Sequence, residues 1–244
     1  MEAFMEKKNV EIQAINRQTF SQRLKSYKRS PLSLLLLILV SLSALITVMT
    51  LLFLIAYILI KGVPYLTADL FAWEYNSENV SLMPALINTI IMTGLSLIIA
   101  GPLGIFAAIY LVEYAKRGNK LVALIRITAE TLSGIPSIVY GLFGFLLFAV
   151  TFKWSYTILG GALTLAIMIL PLIMRTTEEA LKSVPDSYRE GSFGLGAGRL
   201  RTVFHIVLPS AVPGILAGII LAVGRIVGET AALMYTAGTV AGIP

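Results

Sequence analysis

Apolar residues run through this chain in long blocks rather than at strand periodicity. Five blocks stand out, at residues 32–60, 82–112, 121–152, 155–174 and 206–223, separated by short polar stretches. About 20 apolar residues rising 1.5 Å each cross a hydrocarbon layer about 30 Å thick. The pattern therefore predicts five membrane-spanning helices and an all-α polytopic membrane protein. Gly101-Pro102-Leu103-Gly104 interrupts the second block, and Pro84, Pro136, Pro171, Pro209 and Pro213 fall in or beside others. Such breaks are tolerated where neighbouring helices or a water-lined cavity satisfy the freed backbone groups. Gly214 and Gly218, then Gly224 and Gly228, stand four apart, a spacing that lets helices approach closely.

The polar stretches alternate in charge. Residues 1–30 are mixed and end in the basic cluster Arg23, Lys25, Lys28 and Arg29, suited to anionic lipid headgroups. Residues 61–81 carry Asp69, Glu74 and Glu78 with the interfacial aromatics Tyr65, Phe71, Trp73 and Tyr75. Lys116, Arg117 and Lys120 follow the second block, Lys153 and Trp154 the third, and a long insert at 175–205 the fourth. Basic residues gather in every other connection, so the positive-inside rule places the N-terminus and the 175–205 insert in the cytoplasm. The fifth block then delivers the C-terminus outside. The expected organisation is a cytoplasmic arm (1–30), a first span with its outer loop (31–81), and a core (82–244).

Composition agrees with a membrane protein. Hydrophobic residues make up 57% of the chain and charged residues 13%, against about 25% charged in soluble domains, and the mean hydropathy is +0.85. The formal charge of +6 is therefore attributed to orientation rather than to nucleic acid. Cysteine is absent and His205 is the only histidine, which excludes disulfides, thiol chemistry and clustered His or Cys metal sites. The first apolar block is too long for a cleaved signal peptide. Gly194, Gly196 and Gly198 alternate but lead to no Lys-Ser or Lys-Thr, so ATP hydrolysis is not expected on this chain.

The polar insert contains EGSFGLGAGRLRTVFHIVLP at 190–209. Glu190-Gly191-Ser192, then Gly196, then Ile206-Val207-Leu208-Pro209 resembles the EAA loop of ABC importer permeases, with Gly191 and Ser192 where alanines are commonest. Small residues let a short helix lie flush in a partner's cleft, a glycine permits a sharp exit turn, and proline is accepted in a first helical turn. The resemblance implies a coupling helix docked on a cytoplasmic ATPase through Glu190, Gly191, Ser192, Gly196, Arg199, Arg201, Leu208 and Pro209. A plain amphipathic surface helix is the alternative. Residues 130–138 (ETLSGIPSI) and 224–231 (GRIVGETA) resemble the A-type permeases of phosphate importers. That likeness implies a type I, MetI-like permease bundle of six spans. Five are visible before the chain stops at Gly242-Ile243-Pro244, so a truncated chain is expected. It also implies a bacterial inner-membrane location, a second homologous permease, an ATPase dimer that binds the ATP and magnesium, an external phosphate-binding protein, and no cofactor on this chain.

Charges within or beside apolar blocks are costly and usually functional. Arg225 and Glu229 are spaced i, i+4 and can share a helix face. A guanidinium fork suits phosphate oxygens, and a neighbouring carboxylate competes for it and favours a bridging proton on the anion. A structural ion pair is the other reading. Arg126 and Glu130 repeat the spacing and are expected to be structural. Arg175 is read as an orientation anchor beside an inner vestibule, and His205 as a polar cap. The competing functions are a permease for another oxyanion (molybdate, tungstate or sulfate) and a membrane scaffold or sensor with a cytoplasmic partner.

Overall fold

A computed structural model describes residues 30–76, 79, 81–116 and 118–238. The basic cluster at 23–29, Glu78, Arg117 and the final 242–244 therefore lie outside the described residues. The described residues fall into two compact units that divide between Thr67 and Ala68. In the first, α1 (Pro31–Gly62) is apolar on all sides and begins with proline in its first turn. The missing donor costs nothing there, because first-turn N–H groups have no intrahelical partner. A short 3-10 turn, Val63–Tyr65, ends it.

The second unit is built around α5 (Ile158–Ser183), the most buried long helix among the described residues. Against it pack α2 (Met83–Ile109) and α8 (Leu208–Val227), with α3 (Lys120–Ser133) alongside. Lipid provides no hydrophobic drive between helices, so close packing has to supply the attraction. The sequence provides it with Gly160, Gly161, Ala162 and Ala166, all buried on α5. Opposite, a Cβ at Gly214 would fall 2.7 Å from Ala180 Cβ, and one at Gly218 the same 2.7 Å from Thr176 Cβ. That pair of glycines brings α8 against α5 as expected. Gly224 has open space around it and serves no such contact.

Four helical stretches are long and apolar enough to cross a bilayer: 31–65, 83–114, 158–183 and 199–227. A fifth crossing arises if α3 and α4 (Ser137–Gly144, continued by a π-helical turn Phe145–Thr151) count as one span. The third block is thus not one straight helix, since its halves meet at 102°. Helix α3 ends at Ser133 with Gly134 as its C-cap, and Pro136, which has no N–H and disfavours helical geometry in the residue before it, is the N-cap of α4. The Tyr140 hydroxyl donates to the Leu132 carbonyl at 2.7 Å and closes the gap.

Three other boundaries differ from expectation. The helix of the second block runs through Pro102 without interruption. That of the fourth continues to Ser183, so Arg175 lies within it rather than opening a loop. The fifth starts at Arg199 rather than at Leu208-Pro209: α7 (Arg199–Thr202) passes through a π-helical turn, Val203–Val207, into α8. The Leu208 N–H closes that wider turn on the Val203 carbonyl, one residue before Pro209, which has no N–H to donate. Finally, α9 (Ala231–Thr236) folds back onto α4 and α5.

Candidate functional site

The 190–209 insert forms a small helical platform. Pro185 precedes α6 (Asp186–Gly194), whose first turn carries Asp186, an anion placed favourably at the positive helix end. Gly196 adopts φ +83°, a left-handed conformation that side chains disfavour, and turns the chain toward α7. Ser192 is buried and its hydroxyl lies 2.8 Å from that of Thr202, tying α6 to α7. Glu190, Gly191, Arg199, Arg201 and Pro209 are exposed, while Leu208 is half-buried. Leu195 is 90% exposed, with Tyr188, Phe193 and Leu200 also open. The small residues therefore divide their work: Ser192 faces inward to fasten the platform, and Gly191 leaves the outer face flat.

Beneath the platform lies an arginine that sequence spacing does not reveal. Arg189 Nη2 is 2.7 Å from Glu113 Oε1, at the π-helical end of α2, Tyr110–Tyr114. Its Nη1 donates to the Val184 carbonyl at 2.8 Å, and Nη2 also donates to the Leu181 carbonyl at 3.0 Å. Hydrogen bonds to the Glu113 carboxylate raise the Arg189 pKa, with burial working in the opposite direction. The guanidinium is thus charged at any working pH. An open cleft of about 810 Å³ lies beside it, walled partly by Lys116, Lys120, Arg126, Lys182 and Arg199.

Glu178 forms a second hub. It is 7% exposed and receives Arg126 at 2.8 Å and Lys182 at 2.6 Å. Arg126 therefore pairs with α5, not with Glu130 four residues on. Arg175 pairs with Glu179 at 3.3 Å on an exposed face, in keeping with a structural role.

Arg225 and Glu229 do not pair. Among the described residues no ion pair joins them, because α8 ends at Val227 and Gly228 caps it. The i, i+4 geometry is lost at that turn. Arg225 sits in the last turn of α8, where a cation suits the negative helix end. Glu229 Oε1 instead accepts from the Ala232 amide at 3.1 Å and caps α9. Beside the segments 130–138 and 224–231, Tyr140 and Ile226 are buried in one cluster with Leu132, Ile135 and Leu233 packed against it, and a Cβ at Gly141 would fall 2.8 Å from Ala232 Cα. The break between α3 and α4 and the turn between α8 and α9 are thus neighbours.

Residues 100–243 match the family described as "Binding-protein-dependent transport system inner membrane component". A probable ABC transporter permease protein, YqgI of Bacillus subtilis, is 41% identical over 76% of this chain and 63% of its own length. The phosphate transport system permease protein PstA 1 of Mycobacterium tuberculosis is 40% identical over 63% of this chain and 50% of its own length. PstA of Haemophilus influenzae is 34% identical over 89% of this chain and 77% of its own length. The chain thus spans 63% and 50% of the length of the first two relatives. A solved structure titled "Inward facing conformations of the MetNI methionine ABC transporter" superposes with a TM-score of 0.53 at 22% identity, over 64% of this chain and 73% of that one. At that identity the likeness speaks to the fold, and the fold is the MetI-like permease bundle.

Proposed function

Because the chain belongs to the family of binding-protein-dependent transport system inner membrane components, we propose that it is the transmembrane permease subunit of an ATP-driven phosphate importer. The observation that carries this reading is the 34% identity to a phosphate permease along 89% of the chain. That match extends well beyond the insert that ABC importers share. In this reading the chain forms half of a pathway whose other half is a second, homologous permease. An external binding protein delivers phosphate, and two ATPase subunits dock on the platform around α6 and bind the ATP and magnesium. The exposed Leu195, Phe193 and Leu200 beside Glu190 and Gly191 support that docking. The N-terminus and platform face the cytoplasm.

Substrate contact is assigned to Arg225. Among the described residues its side chain makes no ion pair, so the fork is available to a passing phosphate. Glu229 holds the turn that presents it. Nothing in the mechanism requires chemistry on this chain: ATP binding and hydrolysis elsewhere switch the bundle between two states with differential affinity for the closed ATPase dimer. The test is uptake by the full complex in proteoliposomes. ATP-dependent phosphate uptake is expected, resistant to competing molybdate and sulfate and lowered about tenfold or more by Arg225→Gln. Competition by another oxyanion would reassign the substrate, and wild-type uptake by Arg225→Gln would remove that residue from the pathway.

A further inference from the structure

The geometry points to Arg189 and Glu113 as the internal joint through which the α6 platform moves the spanning helices. The inference rests on the coupling role proposed above and adds the residues that would transmit it. Arg189 spreads its donors over three elements: Glu113 at the end of α2, the Leu181 and Val184 carbonyls at the end of α5, and Asp186 at 3.2 Å on α6 itself. Its side chain is 15% exposed and that of Glu113 8%. The guanidinium supplies a donor to the Val184 carbonyl and adds a second bond to the Leu181 carbonyl, which already accepts from the Val184 amide at 3.4 Å. The Ser192–Thr202 hydroxyl pair adds the link to α7 and hence α8.

The consequence is mechanical. One face of α6 bears Glu190 and Gly191 and is open; the other is fastened to α2, α5 and α8. A displacement applied to the open face therefore reaches three spanning helices through two small polar contacts. Lysine substitutes only in part, because it keeps the charge opposite Glu113 but lacks the planar fork that holds a carboxylate and two separate carbonyls together. Arg189 is a positioning residue, since it touches neither the substrate nor the outer face of the platform.

The test measures phosphate uptake and ATP hydrolysis together in the reconstituted complex, for wild type, Arg189→Gln, Arg189→Lys, Glu113→Gln and the double Gln variant. Arg189→Gln is expected to lower phosphate moved per ATP about tenfold, while the ATPase still co-purifies and hydrolyses ATP. Arg189→Lys recovers only part of the loss. The double variant falls no further than Arg189→Gln alone, since residues acting as one unit are non-additive. Unchanged uptake per ATP in Arg189→Gln overturns the joint, as do losses that multiply in the double variant. If Arg189→Gln does not assemble, Glu113→Gln decides, because it leaves the carbonyl contacts in place; wild-type coupling there overturns the proposal. Hydrogen exchange on the same preparations reads the joint without transport. Exchange at 186–194 and 110–114 should rise together when Arg189 is lost. A rise at 186–194 alone overturns the joint, whereas absence of uptake in the wild-type complex counts against the phosphate reading only.

Discussion

Glu229 serves a helix end and sits one turn from Arg225, and two substitutions separate those roles. Its carboxylate accepts from the Ala232 amide and so caps α9. Glu229→Gln keeps an oxygen that can accept the same bond, so thermal stability is expected to hold. Glu229→Ala removes the acceptor and should cost about 1 kcal/mol, the usual loss for a helix cap, measurable as a lower unfolding midpoint in detergent. If the carboxylate also tunes the passing anion, Glu229→Gln will alter the pH profile of uptake while leaving that midpoint alone. An unaltered profile would confine Glu229 to capping. The residue scale is also where local spacing misled. Arg225 and Glu229 look like an i, i+4 pair only while the helix continues, and α8 stops between them. Arg126 finds Glu178 on another helix, and Arg189 finds Glu113 across 76 positions. Pairing rules based on three- or four-residue spacing see neither contact.

At the scale of elements, the apolar blocks were legible because lipid demands them. Every backbone group must be satisfied inside the layer, and helices are the economical way to do so. Helix ends were less legible, since polar residues near an end continue a helix as readily as they stop it. Ser183 and Arg199 both extend helices beyond their apolar blocks. Pro136 stands at a helix break, whereas Pro102 lies inside a continuous helix. The glycine pairs give a test at this scale. Gly218 faces Thr176 so closely that a side chain must displace it, whereas Gly224 faces open space. Gly218→Val should therefore destabilise the α5–α8 pair by about 1–3 kcal/mol, the usual cost of overpacking. Gly224→Ala should be neutral or stabilising by roughly 0.5–1 kcal/mol through helix propensity. Thermal unfolding of the two variants decides. Equal behaviour would mean that the close contact with Thr176 does not hold the pair.

For the whole molecule, the side of the membrane that α5 starts from depends on whether α3 and α4, bent by 102°, cross together or return to the side they left. The charge pattern favours crossing: Lys116 precedes α3 and Lys120 opens it, and the stretch after α4 carries only Lys153 before α5 begins. If the pair crosses, Lys120 and Trp154 lie on opposite sides, and α5 returns the chain so that Leu195 shares a side with Lys120. The absence of cysteine makes this directly measurable, because single cysteines can be introduced without first removing others. Lys120, Trp154 and Leu195 are all exposed. In intact cells a membrane-impermeant maleimide is expected to label Trp154→Cys and to spare Lys120→Cys and Leu195→Cys. Inverted vesicles should show the reverse. Labelling of Lys120→Cys and Trp154→Cys from the same side would make the bent pair re-entrant. The fifth crossing would then disappear, and the platform would need its orientation reassigned from α5 and α8 alone.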